Sequence, residues 1–271
     1  MEALTEAIQA SQRLLVLTGA GVSTLSGIPE YRDDDGEWKH SRPVLYQDFM
    51  GSNAVRKRYW ARSMIGWNYF SRALPNRAHR ALAMLEQSGR VDLLVTQNVD
   101  GLHQRAGSQN VIDLHGRLDV VVCQQCGASR DRASLQARLE ADNPGFRATP
   151  SVVRPDGDVD LERDFTDFVV PACEHCRGIV KPDVVFYGES VPRDRVSATE
   201  EALQRCDALL VVGSSLMVRS GLRFVHRAAD RGIPTLLVNR GRTRADELFS
   251  VKVPDCCGTV LDTVNQRLAT A

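Results

Sequence analysis

Leu14 to Asp33 reads LLVLTGAGVSTLSGIPEYRD. Its first five residues form an apolar run suited to a strand buried on both faces, and the run empties into Gly19-Ala20-Gly21. Gly19 and Gly21 permit a tight turn that brings backbone N–H groups close to a pyrophosphate at a short helix N-terminus. The usual dinucleotide fingerprint has a third glycine at the sixth place, where Thr24 stands here. Gly27-Ile28-Pro29 then cuts the chain where a long helix would continue, and an acidic loop follows. Alone, the turn is equally well an ordinary strand-to-helix connection.

Outward from this stretch the pattern alternates. Helical spacing at Leu4, Ala7 and Ile8 precedes it. Residues 34 to 78 are polar and aromatic with no alternating strand pattern, and RKRYWARSMIGWNYF within them looks helical. Pro75 opens a helix through His79, Leu82 and Leu85, with Gly89 at its end. Strands are expected at Val91 to Thr96, Val111 to Leu114, Ala208 to Val212 and Thr235 to Val238, and helices near 200–205, 222–230 and 259–268. Apolar strands alternating with helices imply a Rossmann-like parallel α/β sheet covered on both faces, whose ligands bind beyond the carboxyl ends of the strands. Thr18-Gly19, Gln97-Asn98-Val99-Asp100, His115, Gly213-Ser214-Ser215 and Asn239-Arg240-Gly241 all stand at such ends. The pattern is interrupted twice. The expected division is a Rossmann-like domain of 1–34, 79–119 and 179–271, and a smaller domain of 35–78 and 120–178 that joins a helical insertion to a zinc-ribbon module.

Composition narrows the function. The 271 residues are 43% hydrophobic and 25% charged with a formal net charge of zero, so no bulk field draws the chain to nucleic acid or an anionic membrane. No apolar run approaches the ~20 residues that cross a bilayer. MEALTEAIQA carries Glu2 and Glu6 and no basic stretch, which leads to the expectation of a cytoplasmic protein with no nucleic-acid or membrane partner.

Of seven cysteines, four form two C-x-x-C pairs, Cys123/Cys126 and Cys173/Cys176. In a reducing compartment such pairs suggest metal, and four thiolates close a tetrahedral zinc shell, which makes the role structural. The segment between the pairs contains RPDGDVDLERD, which reads as a surface insertion. Cys256 and Cys257 read as packing or backbone contacts. His115, at a strand end beside the Asn98/Asp100 pair, is a candidate general base, since imidazole titrates near working pH. Asn239 is placed to hydrogen-bond a ribose, and Gly213-Ser214-Ser215 forms a second phosphate-sized turn.

Together, GAGVS, GIPEYRD, TQNVDGLHQRAG, LHG, the two C-x-x-C pairs, KPDVVFYGE and GSSLMV closely resemble the sirtuins, the NAD-dependent protein-lysine deacylases, over roughly residues 10 to 265. YRDDDGEWK, RYWARSMIGW, the long segment between the knuckles and VVGSSL resemble the class II branch. The resemblance implies one structural Zn2+ and NAD as co-substrate, with acyl-lysine proteins or peptides as partners. It implies that the loop after GAG covers the nicotinamide end of NAD and moves during turnover. By the same resemblance, Gly19, Ala20, Gly21 and Ser23 match the phosphate loop, and Ile28, Pro29, Tyr31 and Arg32 the cofactor loop. The family usually has Phe at the place of Tyr31, and its class II pattern allows Tyr. Gln97, Asn98 and Asp100 match the ribose and nicotinamide pocket, with His115 as base and Asn98 as its catalytic companion. Gly213, Ser214, Ser215, Asn239 and Cys257 match adenosine-side contacts, with Arg240 and Gly241 beside them. The substrate peptide is expected between the domains, as an added strand beside Val184, Val185 and Phe186. Tyr59 and Arg62 have the Y-x-x-R form that other sirtuins use to hold dicarboxylic acyl groups, so Arg62 is expected either to pair with such a carboxylate or to be a solvated helical arginine.

Three other readings stay open at the level of sequence: a protein ADP-ribosyltransferase using the same NAD site, an NAD-dependent oxidoreductase, and a non-enzymatic NAD-sensing or zinc module. The oxidoreductase lacks its third glycine and the acidic residue at the end of the second strand.

Overall fold

The computed structural model describes residues 1–39, 43–149, 154–161 and 163–270. The described chain runs α1 (Glu2–Ala10), β1 (Leu14–Thr18), α2 (Tyr46–Gly51), α3 (Asn53–Phe70), α4 (Arg77–Gln87), β2 (Val91–Thr96), α5 (Leu102–Arg105) and β3 (Val111–Asp113). Then follow β4 (Gly116–Cys123), β5 (Ser129–Asp131), α6 (Arg132–Asp142), β6 (Val180–Val184) and α7 (Arg193–Arg205). The last elements are β7 (Ala208–Val212), α8 (Arg219–Asp230), β8 (Thr235–Val238), β9 (Val251–Val253) and α9 (Cys257–Ala269).

Six strands form a parallel sheet in the order β3-β2-β1-β7-β8-β9. Strand alternation divides its side chains between two cores. Leu14 and Val16 of β1 point with Leu94, Leu210 and Leu236 towards α1, α4 and α9. Leu15 and Leu17 point with Val95, Leu209 and Leu237 towards α7 and α8. Both faces are therefore covered, which is why β1 and β7 read as unbroken apolar runs. Successive strands run outward on one side of β1 as β2 and β3, and on the other as β7, β8 and β9. The order reverses between β1 and β7, and a crevice opens at such a switch point beyond the strand ends.

The smaller lobe has a three-stranded antiparallel sheet, β5-β4-β6, packed with α2, α3 and α6. Residues 116–119 and 180–184, which the expected division puts in the Rossmann-like domain, pair with each other in this sheet, Gly116 with Val184, and the pairing runs on to Cys123 with Val180. β3 ends at Asp113 and β4 begins at Gly116, so His115 stands at the seam between the two sheets. This lobe's core is aromatic. The rings of Phe49, Tyr59 and Phe186 lie 5.3 Å apart pairwise, and Trp60 is 5.4 Å from Tyr59. The buried Arg132 guanidinium lies 5.4 Å and 5.0 Å from the rings of Trp60 and Trp67.

Helix starts follow side-chain chemistry. Ser52 accepts from Val55 N ahead of α3, and Asp131 from Ser134 N ahead of α6. Asn76 accepts from Ala78 N ahead of α4 and also donates to Val22 O and Ser26 Oγ, so it ties this helix to the glycine loop. Among the described residues no helix is long and apolar enough to cross a membrane.

Candidate active site and thiolate module

A cavity of about 430 Å³ occupies the switch point. The β1 and β7 turns interlock at its floor: Gly19 N donates to Val212 O and Gly21 N to Gly213 O. A Cβ on Gly19 would lie 2.7 Å from Ser214 Cβ, so only glycine lets the two turns approach this closely. Gly19, Ala20, Gly21, Ser23, Gln97, Asn98, Asp100 and His115 all line the cavity. So do Ile28, Tyr31, Arg32, Val184, Val185, Phe186, Gly213, Ser214, Ser215, Asn239, Arg240, Gly241 and Cys257. Five separate strand ends thus meet in one space. Pro29, Tyr59 and Arg62 are not among the lining residues.

The loop after the glycine turn crosses the crevice mouth. Tyr31 packs edge-on against Trp38 at 6.2 Å, Trp38 lies 5.7 Å from Tyr187, and the Arg32 guanidinium lies 4.1 Å from the Trp38 ring. At its far end Arg242 N donates to Asp34 O.

Behind the loop lies a directed hydrogen-bond chain. Asn76 N can only donate, so Nδ1 of His79 accepts (3.3 Å), and in a neutral ring the proton sits on Nε2. Nε2 then points its proton at Ser23 Oγ (3.4 Å), which donates in turn to Asp100 Oδ2 at 2.6 Å. Asn98 Nδ2 also donates to Ser23 Oγ at 3.0 Å. Burial pushes His79 down to about 4, and Arg80 acts in the same direction. Burial raises Asp100, and the Ser23 hydroxyl opposes that rise. Asn98 and Asp100 are therefore held by Ser23, which the glycine loop delivers and His79 orients.

His115 has a partner on each ring nitrogen: Gln97 O lies 2.9 Å from Nδ1, and Ser220 Oγ lies 2.7 Å from Nε2. Burial lowers its pKa to about 4; the Gln97 carbonyl opposes this, and Arg195 and Arg223 reinforce it. The imidazole is thus neutral at neutral pH, the state a base requires. Ser214 Oγ is 2.6 Å from Gln97 Oε1, and Asn239 Nδ2 donates to Gly241 O at 2.8 Å. Burial pushes the Cys257 thiol up to about 12, and its Sγ contacts Val238 O, which suits a packing role better than a nucleophile.

The edge at 184–187 is more occupied than a free strand. Val185 N donates to His115 O, Phe186 N to Glu189 Oε2, and Tyr187 O accepts from Tyr46 N. Arg62 is engaged within the small lobe. Its guanidinium pairs with Asp158 at 2.8 Å and with Asp160 at 3.1 Å, and Nε donates to Val159 O. Tyr59 is packed in the aromatic core. The carboxylate partners of Arg62 come from the inter-knuckle segment, and its side chain is largely buried against them. The same segment, expected as a surface insertion, reaches the cavity through Pro155, while Arg154 and Asp158 are buried. Glu162 of that segment lies outside the described residues.

The two C-x-x-C turns share one geometry. Cys123 N donates to Ala128 O and Cys173 N to Gly178 O, while Gly127 N and Arg177 N donate back to Cys123 O and Cys173 O. Gly127 and Arg177 take the same positive φ, 73° and 63°. The turns converge four sulfurs, all within 4.8 Å of one another, with Cys123–Cys176 at 3.5 Å and Cys126–Cys173 at 3.8 Å. Zinc–sulfur bonds of about 2.3 Å in a tetrahedron require sulfurs about 3.8 Å apart, so this set fits a single structural zinc.

Residues not foreseen also line the cavity, notably Asp34, Met217, Arg219 and Ser220. The signal for Ser220 was its position, just after GSSLMV in the first turn of the amphipathic α8.

A Sir2 family model matches residues 19–220. The chain is 56% identical to an NAD-dependent protein deacetylase of Bordetella bronchiseptica, over 96% of both chains. It is 50% identical to NAD-dependent protein deacetylase 1 of Streptomyces coelicolor, over 94% of this chain and 86% of that one. A solved Sir2 complex with p53 peptide and NAD+ superposes with a TM-score of 0.82 at 28% identity, covering 100% of this chain and 99% of that one. A Sir2 homologue–NAD complex gives 0.78 at 30% identity, covering 100% and 94%.

Proposed function

The chain belongs to the Sir2 family, and from that premise we infer how its crevice works as an NAD-dependent protein-lysine deacylase. The enzyme moves the acyl group of an acyl-lysine to ADP-ribose and releases nicotinamide. One observation carries the assignment of roles: a neutral imidazole beyond β3 and an amide and a carboxyl group beyond β2 share the switch-point cavity with the glycine turn beyond β1.

NAD is the co-substrate. The turn at Gly19 to Ser23 and the turn at Gly213 to Ser215 hold its phosphates, with Asn239, Arg240, Gly241 and Cys257 on the adenosine side. Ile28, Pro29, Tyr31 and Arg32 cover the nicotinamide end, and the loop's aromatic packing excludes water there. Gln97, Asn98 and Asp100 face the ribose and nicotinamide. The acyl oxygen bonds to the ribose carbon as the bond to nicotinamide breaks, and fixed dipoles stabilise the cationic character of that transition state. Asn98 and Asp100 are pre-oriented for this through Ser23. His115 Nε2 then takes a proton from a ribose hydroxyl, whose oxygen attacks the acyl carbon; the C–N bond to lysine breaks and the amine leaves protonated, and one water adds to the acyl carbon as its bond to the oxygen on the anomeric carbon breaks, which leaves the acyl group on the attacking hydroxyl. Substrate enters between the lobes past Val184, Val185 and Phe186. The zinc supplies structure alone, since Cys123, Cys126, Cys173 and Cys176 close its shell. A reducing compartment, the cytoplasm, suits these thiolates. The YRDDDGEWK loop and the long inter-knuckle segment support the class II branch.

A panel of acyl-lysine peptides incubated with NAD, with mass detection of nicotinamide and acyl-ADP-ribose, tests this function. Equimolar release of both supports deacylation, and transfer of labelled ADP-ribose to protein without acyl-ADP-ribose overturns it. His115→Ala is expected to bind NAD by calorimetry and to form no acyl-ADP-ribose.

A further inference from the structure

Ser220 is the second residue of α8, and its hydroxyl lies 2.7 Å from Nε2 of His115. The direction of that bond is settled by the other nitrogen. Gln97 O can only accept, so Nδ1 carries the proton; the neutral ring leaves Nε2 bare, and Ser220 must donate to it. The next residue makes this approach possible. A Cβ on Gly221 would fall 2.5 Å from Nε2 of Gln97, so glycine lets the first turn of α8 close against the Gln97 side chain while Ser220 reaches the imidazole. That turn is itself fixed by Leu222 N to Val218 O at 3.2 Å and by the Arg223 side chain to Ser220 O at 3.2 Å.

The amino end of a 12-residue helix carries partial positive charge, which disfavours an imidazolium beside it. A base seated there needs an acceptor on the same side once it takes a proton, and the Ser220 hydroxyl can rotate to supply one. We propose that Ser220 is the positioning residue of the base: it caps Nε2 in the free enzyme, yields that nitrogen to the ribose hydroxyl, and then accepts from the Nε2–H of the imidazolium. In that step the ribose O–H bond breaks and Nε2–H forms. Nδ1–H stays on Gln97 O, and the Nε2 proton later leaves with the lysine amine. The inference rests on His115 being the base of the proposed function.

Ser220 therefore affects the step after nicotinamide has left, and not the step that releases it. The test compares two partial reactions of the full chain with NAD and an acyl-lysine peptide. One is exchange of labelled nicotinamide into NAD; the other is single-turnover formation of acyl-ADP-ribose. Ser220→Ala is expected to slow acyl-ADP-ribose formation roughly tenfold, as for loss of a hydrogen bond to a charged group, with exchange within about twofold of the parent. Ser220→Thr, which keeps the hydroxyl, restores most of the rate, and Ser220→Val, its isostere without one, does not. The Thr and Val pair carries the same comparison if the alanine variant fails to fold. Equal loss of both partial reactions overturns the proposal, since that is what a damaged pocket gives, and so does unchanged acyl-ADP-ribose formation. Full product formation by His115→Ala would sink the underlying base assignment instead, whatever Ser220→Ala does.

Discussion

The two lobes are held by different forces. The large lobe stacks aliphatic strands between helices, and residues such as Val16, Leu94 and Leu210 are fully buried on one face of a parallel sheet. The small lobe packs aromatic rings around buried ions: Arg132 between tryptophans, Arg62 and Arg154 against Asp158 and Asp160, and four thiolates in a cluster. Burial of aliphatic surface is non-directional and tolerant, whereas buried ions and metal ligands are stable only as complete sets. The active site lies on the boundary, where the rigid sheet delivers strand ends and the small lobe delivers the wall at 184–187.

The largest effect should therefore come from the thiolate cluster. Structural zinc binds peptides with an apparent free energy of about 10–16 kcal/mol, most of it coupled to folding. Cys173→Ser, or chelation, is expected to abolish deacylation and to open β4, β5 and α6 to hydrogen exchange while the amides of β1 and β7 stay protected. Uniform loss of protection would show that the lobes are one cooperative unit and break the contrast.

Next is the ion cluster. Arg62→Met leaves Asp158 buried without its nearer guanidinium, and breaking a buried pair typically costs about 3–5 kcal/mol. The expected result is a large drop in denaturation midpoint with no change in the ranking of glutaryl-type and acetyl peptides. A stable variant that loses a preference for acidic acyl chains would return Arg62 to the acyl pocket. Leu210→Ala tests the other lobe. A cavity in the aliphatic sheet should cost about 3 kcal/mol and leave zinc content unchanged.

This difference in forces also explains what was legible in the sequence. Continuous apolar strands announce a doubly covered sheet, so β1, β2, β7 and β8 and the residues at their ends were readable, as were the paired C-x-x-C turns. The pairing of residues 116–119 with 180–184 was not legible, because a strand's period does not say which sheet it joins. The ion pairs of Arg62 were not legible because its partners, Asp158 and Asp160, lie about a hundred residues away in a segment with no periodicity. Ser220 was missed for the same reason: its role depends on a helix start and a strand end meeting across 105 residues.

The smallest effect sets the buried imidazoles of the large lobe against one buried carboxyl of the small lobe. In the large lobe, burial lowers His79 and His115 to about 4 and His103 well below its usual value. As the pH falls below about 6.5, the unfolded chain protonates these imidazoles first, so their contribution to stability falls with pH. In the small lobe, burial and then the Asp156 charge push Asp158 up to about 7, against the pull of Arg62 and Arg154. A raised carboxyl takes up its proton in the folded state first, so its contribution is full below the unfolded value near 4 and is lost as the pH rises through about 7. Acidification from pH 7.5 to 6 therefore destabilises through these imidazoles and stabilises through Asp158, and the parent protein should show a shallow net slope. Asp158→Asn removes the second contribution alone. Its unfolding free energy should fall more steeply than the parent's over that window, by about 1 kcal/mol, read from denaturant titrations at the two pH values. Parallel slopes would mean that Asp158 stays ionised against Arg62 throughout, and that its ion cluster behaves as an ordinary salt bridge.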